Sequence, residues 1–488
     1  MVSEAPPIDA TPGRGGAGLW SPEHRSLTIG LLLTITLVAT EALAVATVMP
    51  EVRADLGGYA LYGWVFSGFF LASIVGIVAG GRTADRTGLA TPFLVGVVVF
   101  ACGLVVAGLS QSMLVLVVGR LLQGLGAGAV PAVAYAAIAR ALPSSLRPRM
   151  FAMLSTAWVV PGLLGPAAAA AIEHALTWRW VFLGLLPLVV LAAALAVPAL
   201  AGVTGHVPAG GASDAGPEPS APGDHDARAL PVAAVVAGVG AVLGAAADAP
   251  LLLAGALVAV GVPLATWGFA QLVPSGTLKL RPGVPATVAM RGLLTWSFFS
   301  ADAYVSYAII DGRGESTWWA GAALSAGSVM WALGSWFQAS RIERVGPRTL
   351  VGTGLSCILV GNALALGVGL GLPVIVMVVA WGIGGAGMGM SYAPLSLVVL
   401  GAAEPGRAGA ASAALHLSDV VGTAVGTGIG GGIVAFAAGR GWAPSSGAAV
   451  VFAHSVLMTA AALVASRRLP TRVPTQPTER SAGRPDQA

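Results

Sequence analysis

Long apolar runs alternate with short polar segments along the whole chain. A helix needs about 20 predominantly apolar residues to cross the hydrocarbon core of a bilayer. Runs of that order occur six times before residue 202, twice between 229 and 272, and six times after 285. These runs are 26–50, 60–80, 91–110, 112–139, 150–172, 179–201, 229–247, 250–272, 285–309, 317–339, 349–369, 372–398, 408–437 and 446–466. The pattern predicts an all-α integral membrane protein with fourteen transmembrane spans.

The polar segments between the runs predict the domain organisation. Residues 202–228 are rich in Gly, Pro, Ser and Ala and carry four acidic residues, a composition typical of a linker. We therefore expect a tail at 1–25, an N-terminal six-helix bundle at 26–201, the linker at 202–228, two inserted helices at 229–272, a C-terminal six-helix bundle at 285–466 and a second tail at 467–488.

The composition requires a surface covered by lipid. Apolar residues make up 56% of the 488 residues and charged residues only 9%, whereas soluble proteins carry about 25% charged residues. This excludes a cytoplasmic enzyme, a nucleic-acid-binding protein and a secreted disulfide scaffold. The two cysteines lie far apart, and neither a metal-ligand cluster nor a catalytic triad spacing occurs. The only lysine, Lys279, stands outside any phosphate-binding loop motif, so we expect no P-loop, no metal and no cofactor.

The basic residues predict the orientation in the membrane. Of the 25 Arg and Lys residues, 19 fall in segments on the same side as the N-terminus, four fall on the opposite side and two lie within spans. Cytoplasmic segments carry the excess of Arg and Lys in membrane proteins. We expect both termini and the 202–228 linker to be cytoplasmic. Arg in place of Lys, in an Ala- and Gly-rich chain, favours a bacterial inner membrane.

The second half of the chain repeats features of the first at a nearly fixed distance. Residues 85–88, Asp-Arg-Thr-Gly, match Glu-Arg-Val-Gly at 343–346, which is an offset of 258 residues. The glycine-rich run that begins at Arg120 matches the run that begins at Trp381, at an offset of 261. Repeats of this kind are common in transporters. The repeat predicts two bundles in the same orientation with two helices inserted between them.

The loop after the second run has the sequence GRTADRTG over residues 81–88. It resembles the loop signature of the major facilitator superfamily, although Leu89 and Ala90 stand where that family has two basic residues. The resemblance implies that the loop holds one conformation of a transporter. A plain turn is the alternative, and the recurrence at 343–346 favours the conformational role. The residues concerned are Gly81, Asp85, Arg86 and Gly88.

Three further stretches strengthen the resemblance. RLLQG at 120–124 looks like the fourth-span motif of the family, and WRWVF at 178–182 looks like the sixth-span opening of its 14-span drug:proton antiporter branch. Gly162, Gly165 and Pro166 resemble, incompletely, the motif associated with antiporters. Close helix packing and a helix kink are the alternatives for these glycines and this proline. The resemblance covers residues 26–466 and implies two six-helix bundles plus two inserted central helices.

Acidic residues inside the spans are candidates for function, because a charge at the bilayer centre costs about 2.5–3.5 kcal/mol even on insertion scales. Glu41 lies near the middle of the first run, and Asp302 occupies the matching position 261 residues later. We interpret Glu41 as a proton carrier. Asp302 shares a helix face with Phe298 and Phe299, a combination that suits a cationic or amphipathic substrate. A structural hydrogen bond for Glu41 and interfacial aromatics around Asp302 are the alternatives.

Three other polar residues within spans are candidates for proton or substrate binding. Arg120 could stabilise a deprotonated acid, or merely bond to backbone carbonyls. His416 and Asp419 are three residues apart and share a helix face, so they could relay protons. A solvated position at the mouth of the span is the alternative for His416. We assign no role to His454 or to Arg291, whose side chain could extend to the membrane surface.

These observations predict transport driven by an ion gradient. The leading hypothesis is a proton-coupled exporter of hydrophobic or cationic small molecules that works by alternating access. The alternatives are an exporter of a lipid or natural product on the same fold, with the inserted helices widening a lateral opening, and a membrane sensor that transports nothing. We expect protons, a small-molecule substrate and the lipid bilayer as partners, no nucleic acid, and a monomeric protein.

Overall fold

The structure, a computed structural model, describes residues 18–143, 146, 149–150, 153, 157, 159–202, 224–245, 250–402 and 408–474. At some helical positions within these ranges, including Gly81, Asp85 and Arg86, only the backbone is described. The described residues form helices and short connections without a β-strand. Helices satisfy their backbone hydrogen bonds internally, which is why apolar chains adopt them in a bilayer.

The described residues of the first half of the chain form seven helices. They are α1 (Arg25–Leu56), α2 (Tyr59–Thr87), α3 (Ala90–Gly108), α4 (Met113–Ala141), α5 (Val159–Ala175), α6 (Arg179–Leu183) and α7 (Leu186–Ala201). Short turns separate α1 from α2, α2 from α3 and α3 from α4. Gly57 and Gly58, with φ angles of 69° and 79°, make the turn between α1 and α2, and Gly88, with a φ of 81°, ends α2. Glycine adopts this left-handed region without the strain of a Cβ atom.

The rest of the chain forms an inserted pair and seven further helices. These are α8 (Asp224–Ala245), α9 (Leu251–Leu272), α10 (Val284–Asp302), α11 (Val305–Arg313), α12 (Thr317–Val345), α13 (Pro347–Gly369), α14 (Ile375–Gly401), α15 (Ala408–Gly439) and α16 (Pro444–Ala465). The pairs α6–α7 and α10–α11 each form one broken span, so the described helices supply one element for each predicted run.

The prediction of an all-α membrane fold is confirmed. In the part of the chain that the structure describes, 11 helices are long and apolar enough to cross a membrane. The elements outside this group are α5, which has 17 residues, α8, whose apolar part is Ala229–Ala245, and α12. Fourteen helical elements are compatible with the predicted fourteen spans, and the number that crosses the bilayer stays a prediction.

The repeat seen in the sequence is also present in the packing of the helices. A Cβ atom added at Gly124 would lie 2.0 Å from the carbonyl oxygen of Phe69, and one added at Gly385 would lie 2.0 Å from that of Gly327. The two pairs are related by offsets of 261 and 258 residues. Two equivalent contacts, between α3 and α4 and between α13 and α14, are those of Gly126 with Gly96 and of Gly387 with Gly354. Such distances leave no room for a side chain, so these glycines set how closely the helices approach.

In the described part of the chain, the two halves meet where α1 packs on α11 and α12, α2 packs on α15 and α5 packs on α12. A Cβ atom added at Gly63 of α2 would lie 2.7 Å from the Cα atom of Gly431 in α15. A Cβ atom added at Gly162 of α5 would lie 2.8 Å from the Cβ atom of Ser328 in α12. The contact of α5 with α12 continues to Pro166. Two of the three antiporter-like residues therefore lie where the halves touch.

The inserted helix α8 covers one of these seams. Its side chains Val235, Val239 and Leu243 pack in a buried cluster with Ile74 of α2 and Ala424 of α15. Helix α9 packs on α8 and has little of its surface buried within the protein. In this conformation the inserted pair closes the α2–α15 seam instead of widening it.

Candidate functional site

The acid of the N-terminal half is buried against an arginine. Glu41 of α1 has 0% of its surface exposed, and Arg120 of α4 has 2%. Nη1 of Arg120 donates a hydrogen bond to Oε1 of Glu41 and another, of 2.5 Å, to Oε1 of Gln123. Nε of Arg120 donates to the carbonyl oxygen of Val65 at 3.0 Å. Two residues predicted separately from the sequence thus form one buried ion pair.

This ion pair is incompletely satisfied by hydrogen bonds. Among the described residues, Oε2 of Glu41 and Nε2 of Gln123 have no partner. The guanidinium group of Arg120 also lies over the ring of Phe69, 4.5 Å from its centroid. A buried pair of this kind holds two charges away from water, and removal of one partner leaves the other uncompensated. Arg120 thus binds one oxygen of the Glu41 carboxylate, and the other oxygen has no donor among the described residues.

The acid of the C-terminal half has a different partner. Oδ1 of Asp302, at the end of α10, accepts a hydrogen bond of 2.7 Å from Nε1 of Trp381 in α14. The side chain of Asp302 is only partly buried. No Arg, Lys or His nitrogen of the described residues lies within 4 Å of its carboxylate. Asp302 therefore has a neutral partner in Trp381 and no cationic partner among the described residues.

A group of aromatic rings, which we call the aromatic wall, extends from Asp302 through the C-terminal half. It consists of Phe298, Phe299, Trp331, Trp381 and Tyr392. The ring of Phe298 lies 5.4 Å from Phe299, 5.9 Å from Trp331 and 5.7 Å from Trp381, measured between centroids. Trp331 in turn lies 5.7 Å from Tyr392. Aromatic faces attract cations and pack well against flat apolar molecules. Sequence reasoning found Phe298 and Phe299 but missed the other rings, which come from α12 and α14.

A second polar cluster lies at the far end of this wall. The hydroxyl of Tyr392 donates a hydrogen bond of 2.5 Å to Oδ2 of Asp419. Arg291 donates to the carbonyl oxygen of Tyr392 at 2.8 Å and to Oγ of Ser396 at 2.7 Å. Its guanidinium group lies 3.4 Å from the centroid of the Tyr392 ring. Asp419 is buried while His416 is exposed, and the two share no hydrogen bond among the described residues.

Sequence reasoning assigned no role to Arg291 and missed Tyr392. Arg291 is 4% exposed, so its side chain stays inside the C-terminal half and does not extend to the membrane surface. The sequence signal for it was the position of a charge within an apolar run, the same signal that singled out Arg120. Tyr392 gave no signal, because one tyrosine in an apolar run is common at membrane interfaces.

A network of polar contacts joins the two halves at one end of the molecule. Arg53 of α1 forms an ion pair with Asp311 of α11, and the side chains are 20% and 9% exposed. Oγ1 of Thr317 donates to Oε1 of Glu51 at 2.9 Å. Arg53 and Asp311 are 258 residues apart, so they occupy nearly equivalent positions of the repeat. We refer to this end of the molecule as the Arg53 end.

Four tyrosines close the space beneath this ion pair. The Tyr62 ring stacks on Tyr304 at 5.6 Å and meets Tyr307 at 5.8 Å, and Tyr59 meets Tyr307 at 6.4 Å. Tyr59 and Tyr62 belong to α2, whereas Tyr304 and Tyr307 belong to the broken α10–α11 span. The rings therefore connect the two halves, and the structure is closed at the Arg53 end.

The remaining sequence candidates lie away from these clusters. The side chains of Gly81, Asp85 and Arg86 fall outside the described residues, and Gly88 ends α2. A Cβ atom added at Gly165 would lie 3.9 Å from the nearest atoms of α1. In the described part of the chain, no group of three His, Cys, Asp or Glu residues could hold a metal ion.

Comparison with known proteins agrees with this architecture. The family model of the Major Facilitator Superfamily matches residues 27–427. A Mycobacterium tuberculosis protein named as a probable multidrug-efflux transporter is 34% identical over 176 residues, which is 36% of this chain and 37% of that protein. Multidrug resistance protein 3 of Bacillus subtilis is 33% identical over 156 residues, which is 32% of this chain and 30% of that protein. The matches thus span about a third of each of these relatives.

Solved structures share the fold at low identity. The xylose transporter XylE of E. coli, in a partially occluded inward open conformation, gives a TM-score of 0.61 at 13% identity and covers 90% of this chain and 96% of that one. An autoinhibited peptide transporter of the POT family gives a TM-score of 0.62 at 16% identity, and the match covers 92% of this chain and 99% of that one. These neighbours show the shared fold, and the family match indicates a transporter. With its repeated helical halves and a family match over residues 27–427, the chain belongs to the Major Facilitator Superfamily.

Proposed function

We propose that this protein is a proton-coupled secondary active exporter of hydrophobic or cationic small molecules. The observation that carries the proposal is the contrast between the two intramembrane acids. Glu41 is paired with the Arg120 guanidinium. Among the described residues, Asp302 is bound by a neutral indole N–H alone and lies beside a wall of aromatic rings. The first arrangement suits a group that exchanges a proton, and the second suits a site for a cation. The names of the multidrug-efflux relatives support the same substrate class.

In the proposed cycle, the two halves alternate between openings on opposite sides of the membrane. A proton that reaches Glu41 neutralises the carboxylate and weakens its attraction to Arg120. Loss of that attraction loosens the contact of α1 with α4 and favours the change of conformation. Asp302 and the aromatic wall hold the substrate until the site opens to the outside. Release of the proton to the cytoplasm restores the Glu41–Arg120 pair and resets the protein.

The function is tested with purified protein in liposomes whose lumen is acidic. Protein whose cytoplasmic face points outward should then move a permanently charged quaternary ammonium dye into the lumen while protons leave. Such a dye is not trapped by acid, so protein-free liposomes give the background. We expect accumulation that stops when an ionophore collapses the pH gradient. Transport that does not depend on the pH gradient would contradict proton coupling. Transport of lipid analogues alone would favour the lipid-exporter alternative.

We further propose that the Arg53 end faces the outside of a bacterial inner membrane and that both termini are cytoplasmic. In a variant lacking Cys102 and Cys357, Ala215→Cys should react with a membrane-impermeant maleimide only after the cells are permeabilised. Glu315→Cys, which lies between α11 and α12 at the Arg53 end, is the matched control and should react in intact cells. The reverse pattern of labelling would overturn the orientation. The basis is the unequal distribution of Arg and Lys between the two sides.

A further inference from the structure

The two intramembrane acids occupy equivalent positions, and so do the side chains that bind them. Adding the offset of 261 to Glu41 gives Asp302, and adding it to Arg120 gives Trp381. Arg120 contacts Glu41, and Trp381 contacts Asp302. The repeat thus preserves a contact between the first helix of each half and the fourth. It changes the chemical nature of the donor, from a guanidinium cation to a neutral indole.

Trp381 is held in a fixed position. Its side chain is 2% exposed, and its ring lies 5.7 Å from Phe298 and 6.4 Å from Phe452. A Cβ atom added at Gly327 would lie 2.8 Å from Cδ1 of Trp381, so the neighbouring helix α12 approaches the ring closely. Packing on these sides holds the ring with its N–H group directed at Asp302.

One oxygen of Asp302 remains available. Trp381 binds Oδ1, and Oδ2 accepts no hydrogen bond from any residue that the structure describes. A neutral donor at one oxygen adds no positive charge to the site, and the second oxygen stays available to a bound cation. In the N-terminal half the same position of the helix supplies a positive charge, which would repel a cationic substrate.

We propose that Trp381 is the positioning residue that determines selectivity for cations at Asp302. It orients the carboxylate without neutralising it, so that the C-terminal half binds cationic amphipathic molecules while the N-terminal half does not. This inference rests on the proposed transport function, which it deepens by naming the residue that distinguishes the two halves.

The central experiment transfers the donor of the N-terminal half into the C-terminal half. Trp381→Arg is expected to reduce transport of a quaternary ammonium dye at least about tenfold, because a guanidinium beside Asp302 cancels the charge that attracts the dye. Transport of a neutral apolar dye should stay within about threefold of the wild type, since no charge attraction contributes to it. The measured quantity is the ratio of cationic to neutral transport in the pH-gradient assay.

Two comparison variants separate orientation from charge. Asp302→Asn should lower the same ratio about as much as Trp381→Arg does, because each change leaves the pair without net charge. The double variant should lower it further, because its unpaired guanidinium repels the cation. Trp381→Phe keeps an aromatic ring, although a smaller one, and removes the N–H donor. It should raise KM for the cation while leaving KM for the neutral dye unchanged, whereas a purely structural role would affect both dyes equally.

If Trp381→Arg keeps the wild-type ratio of cationic to neutral transport, the inference is wrong. If that variant does not fold, the decision passes to Trp381→Phe, and equal changes in KM for both dyes would then reject the proposal. Equilibrium binding of the two dyes to detergent-purified protein provides the same ratio without transport. Failure of the wild type to respond to a pH gradient would instead reject the proposed function and leave the binding test of Trp381 intact.

Discussion

Replacement of Glu41 by Gln is expected to abolish pH-driven transport of every substrate, cationic or neutral. An amide cannot take up and release a proton, so the step that couples the gradient to the conformational change is lost. The change also leaves Arg120 without its counterion in a site where the guanidinium is 2% exposed. Breaking a buried ion pair by removing one partner costs about 3–5 kcal/mol of stability. Thermal unfolding of the detergent-purified variant should therefore shift to lower temperature.

The loss of stability and the loss of coupling can be separated. In the double variant Glu41→Gln with Arg120→Gln no charge remains at this site, so stability should recover towards that of the wild type while pH-driven transport stays absent. Glu41→Asp keeps a titratable group at the same position and should retain measurable transport. Dye movement and proton flux are recorded together in liposomes. Normal pH-driven transport by the single Glu41→Gln variant would remove Glu41 from the mechanism.

The second large effect is expected at the Arg53 end. Asp311→Asn should shift the protein towards a state that is open at this end, because the ion pair with Arg53 is a contact between the two halves. A hydrogen bond to a charged group contributes about 1.5–3 kcal/mol. If the pair exists only in the closed state, its loss changes the equilibrium between the two states by roughly ten- to 150-fold.

Spin labels can measure this opening. Leu109 and Leu372 are exposed in the short connections α3–α4 and α13–α14, which lie in different halves at the Arg53 end. In a cysteine-free background, labels at Leu109→Cys and Leu372→Cys should move apart in Asp311→Asn. The charge-swapped variant Arg53→Asp with Asp311→Arg should partly restore the short distance. Asp55→Asn is the control, since the Arg179–Asp55 pair lies within one half. An unchanged distance distribution in Asp311→Asn would contradict a gating role.

The sequence predicted the membrane fold and the family because both rest on local composition. Apolar runs of sufficient length identify spans whatever surrounds them. Charges within those runs stand out for the same reason, which is how Glu41, Arg120 and Asp302 were found. The repeat offset also showed that Trp381 occupies the position equivalent to Arg120. The role of Trp381 became visible only from its contact with Asp302 in the structure.

What the sequence could not predict are the partners that each of these groups has in space. Arg53 was informative only for orientation, and its pairing with Asp311, 258 residues away, depends on how the halves close. Arg291 was left without a role because a charge near the end of a span is often solvated. Its burial against Tyr392 follows from the packing of α10 on α14.

By itself, the sequence determined that this chain is an all-helical membrane protein with two repeated halves and acids inside its spans. These properties follow from residue type and spacing, since the cost of placing polar groups in lipid applies residue by residue. Only the tertiary structure decided that Glu41 is paired with a cation while Asp302 is not, and that α8 covers the seam between α2 and α15. Those features depend on which helix faces approach each other. Glycines at the crossings allow that approach, because a Cβ atom added there would lie 2.0–2.8 Å from atoms of the neighbouring helix.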